Sequence, residues 1–77
     1  MVGDETILKQ IGAAIRKRRE ELGYSQEKLA ELSGVDRSFI CGVERGINNI
    51  SLITLCEIIH AMNKKFVNFI CELESNK

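Results

Sequence analysis

Tryptophan and proline are missing from this chain of 77 residues, tyrosine occurs once, and 11 Lys and Arg are cancelled by 11 Asp and Glu. Without proline there is no proline-rich linker, and with so few aromatic rings there is no aromatic platform for binding sugars. The absent net charge argues against nonspecific electrostatic attachment to nucleic acid or to an anionic membrane, both of which draw on a basic excess. It leaves room for a local basic face. Long apolar runs are missing too: the stretch from Leu52 to Met62 is broken by Thr54, Glu57 and His60, and is too short to span a bilayer. Cys41, Cys56 and Cys71 are odd in number, form no C-x-x-C pair and follow no basic-plus-apolar leader, so they read as reduced thiols in a cytoplasmic protein. There is no nucleophile elbow, no glycine loop for phosphate, no carboxylate pair spaced for a cleft and a single histidine, so an enzyme has the least support.

What is present is a helical period, in a chain whose 44% hydrophobic content marks it as globular. Ile7/Leu8, Ile11, Ala14/Ile15 and Leu22 recur at three- and four-residue spacing, with Asp4 as N-cap and Gly23 as the stop. Ser25 caps a short second helix from Gln26 to Leu32, with Leu29, Ala30 and either Leu32 or Ser33 facing inward. Asp36 caps a third helix reaching about Arg45, Ser51 caps a fourth reaching about Met62, and a last helix begins near Phe66 and ends in the polar tail Ser75-Asn76-Lys77. The fold class expected is therefore all-α, five short helices in one domain over residues 1–77 with its core in 11–70.

The segment from 26 to 45 carries the function. Two short helices joined by a four-residue corner must pack closely at a steep angle. That requires a small residue where the first faces the second (Ala30), a glycine at the corner (Gly34), and apolar anchors after it (Val35, Ile40, Val43). Arg37, Ser38, Cys41 and Arg45 are then left outside. This is a helix-turn-helix, whose second helix projects into the major groove of DNA. An ordinary pair of core helices with a coincidental corner is the plainer alternative, and it must meet all five spacing requirements by chance.

The runs Ile11-Gly12-Ala13-Ala14-Ile15-Arg16, Tyr24-Ser25-Gln26-Glu27-Lys28-Leu29-Ala30, Ser33 to Ile40 and Val43-Glu44-Arg45-Gly46 resemble the phage repressor/Cro-type (XRE) helix-turn-helix family over residues 11 to 70. The resemblance implies a five-helix, repressor-like domain that binds double-stranded DNA in a sequence-specific way, commonly as a dimer. It places Gln26 against a phosphate, where backbone N–H groups at the helix start, from Ser25 on, add to the contact. It places Arg37 and Ser38 on base edges; an arginine there matches guanine O6 and N7. A solvated charge paired with Asp36 or Glu44 is the alternative for Arg37. Cys41, one turn on, is placed to approach a base or methyl group, or stands by as a bystander. Phe39, Arg45, Asn48 and Asn49 complete the expected contacts with the DNA backbone. Arg19 and Glu44 match a buried salt bridge joining the first helix to the recognition helix, a structural role rather than a DNA contact. Two departures stand out: Gly42 occupies a position where many relatives carry a long polar reader, and the loop Gly46 to Asn49 has no cation. The run Asp36 to Arg45 with Asn48-Asn49-Ile50-Ser51-Leu52 looks most like restriction–modification controller proteins, with stand-alone phage repressors and antitoxin-like regulators sharing much of it.

Helix four is apolar on more than one face, with Leu52, Leu55, Ile59 and Met62 in one stripe and Ile53 and Cys56 beside it. The last helix offers Phe66, Val67, Phe69, Ile70 and Leu73. A domain this small does not readily cover both, so a symmetric homodimer is expected on Ile53, Cys56, His60, Phe66, Val67, Phe69 and Ile70, or else these faces pack on each other in one monomer. His60 follows Cys56 by four residues, but structural zinc takes four ligands, so no metal or other cofactor is expected. The partners expected are operator DNA, a second copy and RNA polymerase, with no membrane. The competing class is a helix-turn-helix module that binds protein and not DNA, for which the zero net charge speaks.

Overall fold

A computed structural model describes the backbone of residues 4–75 and the side chains of residues 6–74. Its elements are α1 (Asp4–Glu21), α2 (Gln26–Ser33), α3 (Arg37–Glu44), α4 (Leu52–Ala61) and α5 (Phe66–Ser75), with no strand among the described residues. Polar side chains open the inner helices by taking up first-turn N–H groups that have no partner within the helix. Ser25 Oγ accepts from the Lys28 N–H at 2.9 Å, Asp36 from the Ser38 N–H at 3.1 Å and Ser51 Oγ from the Thr54 N–H at 3.1 Å. The expected cap Asp4 and the tail residues Asn76 and Lys77 lie outside the described side chains.

The helix ends follow one pattern. After α1, α3 and α4 the chain closes by paired backbone bonds: Tyr24 N–H to Arg19 O at 3.0 Å, Ile47 N–H to Gly42 O at 3.1 Å and Lys64 N–H to Ile59 O at 3.3 Å. At the corner between α2 and α3, Gly34 has φ 75°, a left-handed conformation that side chains resist, and its N–H returns to Ala30 O. The inward choice at the end of α2 falls on Ser33, since Leu32 stays 46% exposed.

Ile15, Leu29, Ile40, Val43, Leu55, Ile58, Ile59, Met62 and Phe69 form the core. Phe69 corrects an expectation. At 2% exposure it is closed inside the protomer, so it has no surface to offer a second copy. Phe66 and Ile70 also pack against the core but stay partly exposed. Along α4 and its C-cap, Leu55, Ile59 and Met62 of the expected stripe are buried with Ile58 beside them, whereas Leu52 at the helix start is 64% exposed.

Two close approaches hold α1 in place, one against α3 and one against α4. A Cβ on Gly12 would lie 2.2 Å from the Val43 carbonyl oxygen and 2.8 Å from that of Glu44, so α1 crosses the end of α3 with backbone against helix. Arg18 Nε meanwhile donates to Met62 O at 3.1 Å, fastening α1 to the end of α4. Gly12→Ala tests the first contact by its sign. Helix propensity alone would raise stability by about 1 kcal/mol. Against two immovable carbonyls the methyl is expected instead to destabilise by about 1–3 kcal/mol. A thermal melt followed by circular dichroism should show the midpoint falling, and a rise would mean that α1 and α3 sit further apart.

Candidate nucleic-acid interface

The segment 37–45 reads differently on its two sides. Ile40, Gly42 and Val43 are buried, while Arg37, Ser38 and Arg45 are exposed and Cys41 is half-buried between them. Ala30 and Val35 pack against the core beside Ile40 and Val43, with Gly34 at the corner between α2 and α3. The side chains expected to read bases therefore share one outward strip. Asp36, beneath it, caps α3 through the Ser38 N–H and also accepts a hydrogen bond from the Ser38 hydroxyl. These bonds, with a smaller contribution from the nearby Arg37 charge, hold the Asp36 carboxyl below its ordinary range. The cap is therefore complete above the usual carboxylate pKa and lost as pH falls through the lowered one.

Arg19 and Glu44 lie together at the base of α3. Arg19 Nε donates to Glu44 Oε2 at 2.7 Å and Nη2 to Oε1 at 3.0 Å, a bidentate pair with side-chain exposures of 12% and 3%. Arg19 Nη1 donates to Tyr24 O at 2.8 Å, and Gln26 Nε2 donates to Glu44 Oε1 at 3.1 Å. Hydrogen bonding to Glu44 outweighs burial and raises the Arg19 pKa, holding the guanidinium firmly charged. Glu44 thus ties α1, the start of α2 and the end of α3 at one point. Gln26 spends one amide N–H on this cluster and keeps its second N–H and its oxygen for a ligand.

Two expected contact positions have particular surroundings. Phe39 is half-buried and packs against the core. Gly42, at the position where many relatives carry a long polar reader, is buried, and the space a Cβ would enter is filled by the Asn48 amide. That contact gives no signal in sequence, because it joins a helix to a loop through a side chain that is not there. Asn49 is exposed, as are Ser25 and Arg45. Among the proposed contact surfaces elsewhere, Ile53 and Val67 are 75% and 61% exposed, His60 is exposed and Cys56 is half-buried.

Some of the cations are paired and others are not. Arg16, Arg18, Arg19, Lys28 and Lys64 are in ion pairs with Glu20, Glu21, Glu44, Glu31 and Glu72. Lys9, Lys17, Arg37, Arg45 and Lys65 have no salt bridge among the described residues, and of these Arg37 and Arg45 lie on the outward side of α3 and of the residue that follows it. A neutral chain therefore still presents unpaired cations at the strip. No group of three or more metal-ligating side chains occurs among the described residues, and no described helix is long and apolar enough to cross a membrane.

The family profile described as Helix-turn-helix matches residues 15–69. An uncharacterized HTH-type transcriptional regulator of Methanothermobacter thermautotrophicus is 39% identical over 62 residues, which are 80% of this chain and 90% of that protein. The restriction–modification controller protein C.AhdI from Aeromonas hydrophila superposes with a TM-score of 0.80 at 39% identity, over 83% of this chain and 97% of that one. The controller protein C.Esp1396I, solved as a tetramer in complex with its natural 35-base-pair operator, superposes with a TM-score of 0.83 at 34% identity, over 88% and 90% of the two chains. With five helices around a capped α2–α3 corner and a family match across most of its length, the chain belongs to the XRE-type helix-turn-helix family of transcriptional regulators.

Proposed function

We propose that the chain acts as a single cro/C1-type helix-turn-helix domain that binds operator DNA as a homodimer and, as a restriction–modification controller, regulates its own gene and that of the endonuclease. The observation that carries this reading is the outward strip of α3, where Arg37, Ser38 and Cys41 stand free of the core on a helix whose other side is buried. Likeness to C.Esp1396I, a controller solved on its operator, supports the same reading. Gln26, Ser25, Arg45, Asn48 and Asn49 surround the strip as backbone contacts. The exposed Ile53 and Val67, with His60, Cys56, Phe66 and Ile70, form the dimer surface. Two recognition helices held about 34 Å apart meet successive major grooves on one side of the duplex. RNA polymerase is the further partner this role brings.

Arg37→Ala tests the reading. On the cognate operator it is expected to cost about 1–3 kcal/mol while barely changing affinity for unrelated DNA. Titration of both DNAs at one salt concentration measures the difference. A wild-type protein that prefers no DNA segment, its own promoter included, would instead be a protein-binding module on a helix-turn-helix frame.

A further inference from the structure

Ser38, Gly42 and Arg45 follow one another at four- and three-residue spacing, which puts them on one face of the recognition helix and the residue after it. Ser38 and Arg45 are exposed, yet Gly42 between them is buried. The cover is Asn48. A Cβ built on Gly42 would lie 2.1 Å from Asn48 Nδ2 and 2.6 Å from Cγ, and its three nearest atoms all belong to that one amide. The loop that delivers Asn48 is itself fixed, since the Gly46 N–H bonds to Val43 O at 3.0 Å and the Ile47 N–H to Gly42 O at 3.1 Å. A Cβ on Gly46 would lie 2.9 Å from Lys9 Cα, so the turn is also held against α1.

The amide so placed has no hydrogen-bonding partner among the described residues, and no described side-chain polar atom is both buried and unpartnered. Asn48 therefore keeps its donors and acceptor open to the outside while its position is set by packing. Packing alone would be served as well or better by an apolar side chain. An oriented, unpaired amide beside Ser38 and Arg45 suits a ligand rich in acceptors.

We propose that Gly42 is a positioning residue: its bare backbone seats the Asn48 amide on the recognition face, where Asn48 contacts the operator in place of a side chain at 42. This rests on the DNA-binding function above and adds the coupling between the two residues. A donor lost from a charged acceptor costs enough to weaken binding roughly tenfold or more.

The test combines melting temperature with operator affinity. Asn48→Asp keeps the shape that fills the gap over Gly42 but brings a negative charge to the DNA. It is expected to melt like wild type and to bind the operator more weakly than Asn48→Ala, itself at least about tenfold weaker than wild type. Gly42→Ala should lower the melting temperature and operator affinity when Asn48 is present. In an Asn48→Ala background it should do neither, because the methyl then has room. Independent, additive losses at 42 and 48 would overturn the seating. Asn48→Asp binding as well as wild type would overturn the contact alone, leaving Asn48 as a plug. A wild type that prefers no DNA would overturn the DNA-binding function and this contact with it, while the melting arm still reports whether Gly42 seats Asn48.

Discussion

Glu44→Ala is expected to remove about 3–5 kcal/mol of stability, the cost of leaving a buried charge without its partner. Arg19 is only 12% exposed and loses both carboxylate bonds, and Gln26 loses the acceptor for its amide. For a domain of this size the whole folding free energy is about 4–12 kcal/mol. A loss of this size lowers the melting midpoint by well over 10 °C, at about 4–8 °C per kcal/mol. The sign of the double substitution separates pairing from packing. Arg19→Met with Glu44→Leu removes both charges and leaves apolar volume, so it should recover much of what Glu44→Ala loses. Thermal melts of the three proteins decide the matter. If Glu44→Ala alone melts within about 2 °C of wild type, the pair is not the tie that holds α3.

The second large effect concerns assembly. Ile53 is 75% exposed in the protomer, so Ile53→Glu should leave the fold and its melting temperature nearly unchanged. On the proposed dimer surface the same carboxylate lies in an apolar contact, and sedimentation at micromolar concentration should show a monomer where wild type shows a dimer. Binding to the second half-site then ceases to be intramolecular. Operator affinity is expected to fall by about 10²–10⁴, the gain that joining two sites supplies. A wild type that sediments as a monomer overturns the dimer, and an Ile53→Glu protein that stays dimeric places the interface elsewhere.

The local signals were legible in sequence because each depends on a few adjacent residues. Ser25, Asp36 and Ser51 cap helices because a short polar side chain just before an apolar period satisfies the first N–H groups. Gly34 marks the corner for a similarly local reason. What failed needed knowledge of which face meets which. Helical period shows that α5 is apolar, but Phe69 and Val67 are two residues apart, and only the position of α4 sends the first into the core and leaves the second at 61% exposure. Leu52, at the start of α4, stays 64% exposed for the same reason, while the other members of its stripe are buried. In the candidate site, the strip Arg37, Ser38 and Cys41 follows from periodicity, whereas the filling of the space over Gly42 by Asn48 depends on a loop path that periodicity does not describe. Gly12 was read as one residue of a helix, and its use appears only where α1 meets the carbonyls of Val43 and Glu44.

The recognition helix is gripped along its inner side and most tightly at its C-terminal end. That end is clamped by Gly12, by the Glu44 cluster and by the turn through Gly46, and Ile40 anchors the first half in the core, so that Arg37 and Ser38 project from a supported frame. Substitutions at Arg37 add to or remove from the outward side without disturbing the support, and those at Ser38 do so once Asp36 keeps its cap. On the proposed function, single substitutions at these positions are therefore expected to change which DNA is read while leaving folding almost untouched, whereas a single change at the clamp puts reading and folding at risk together.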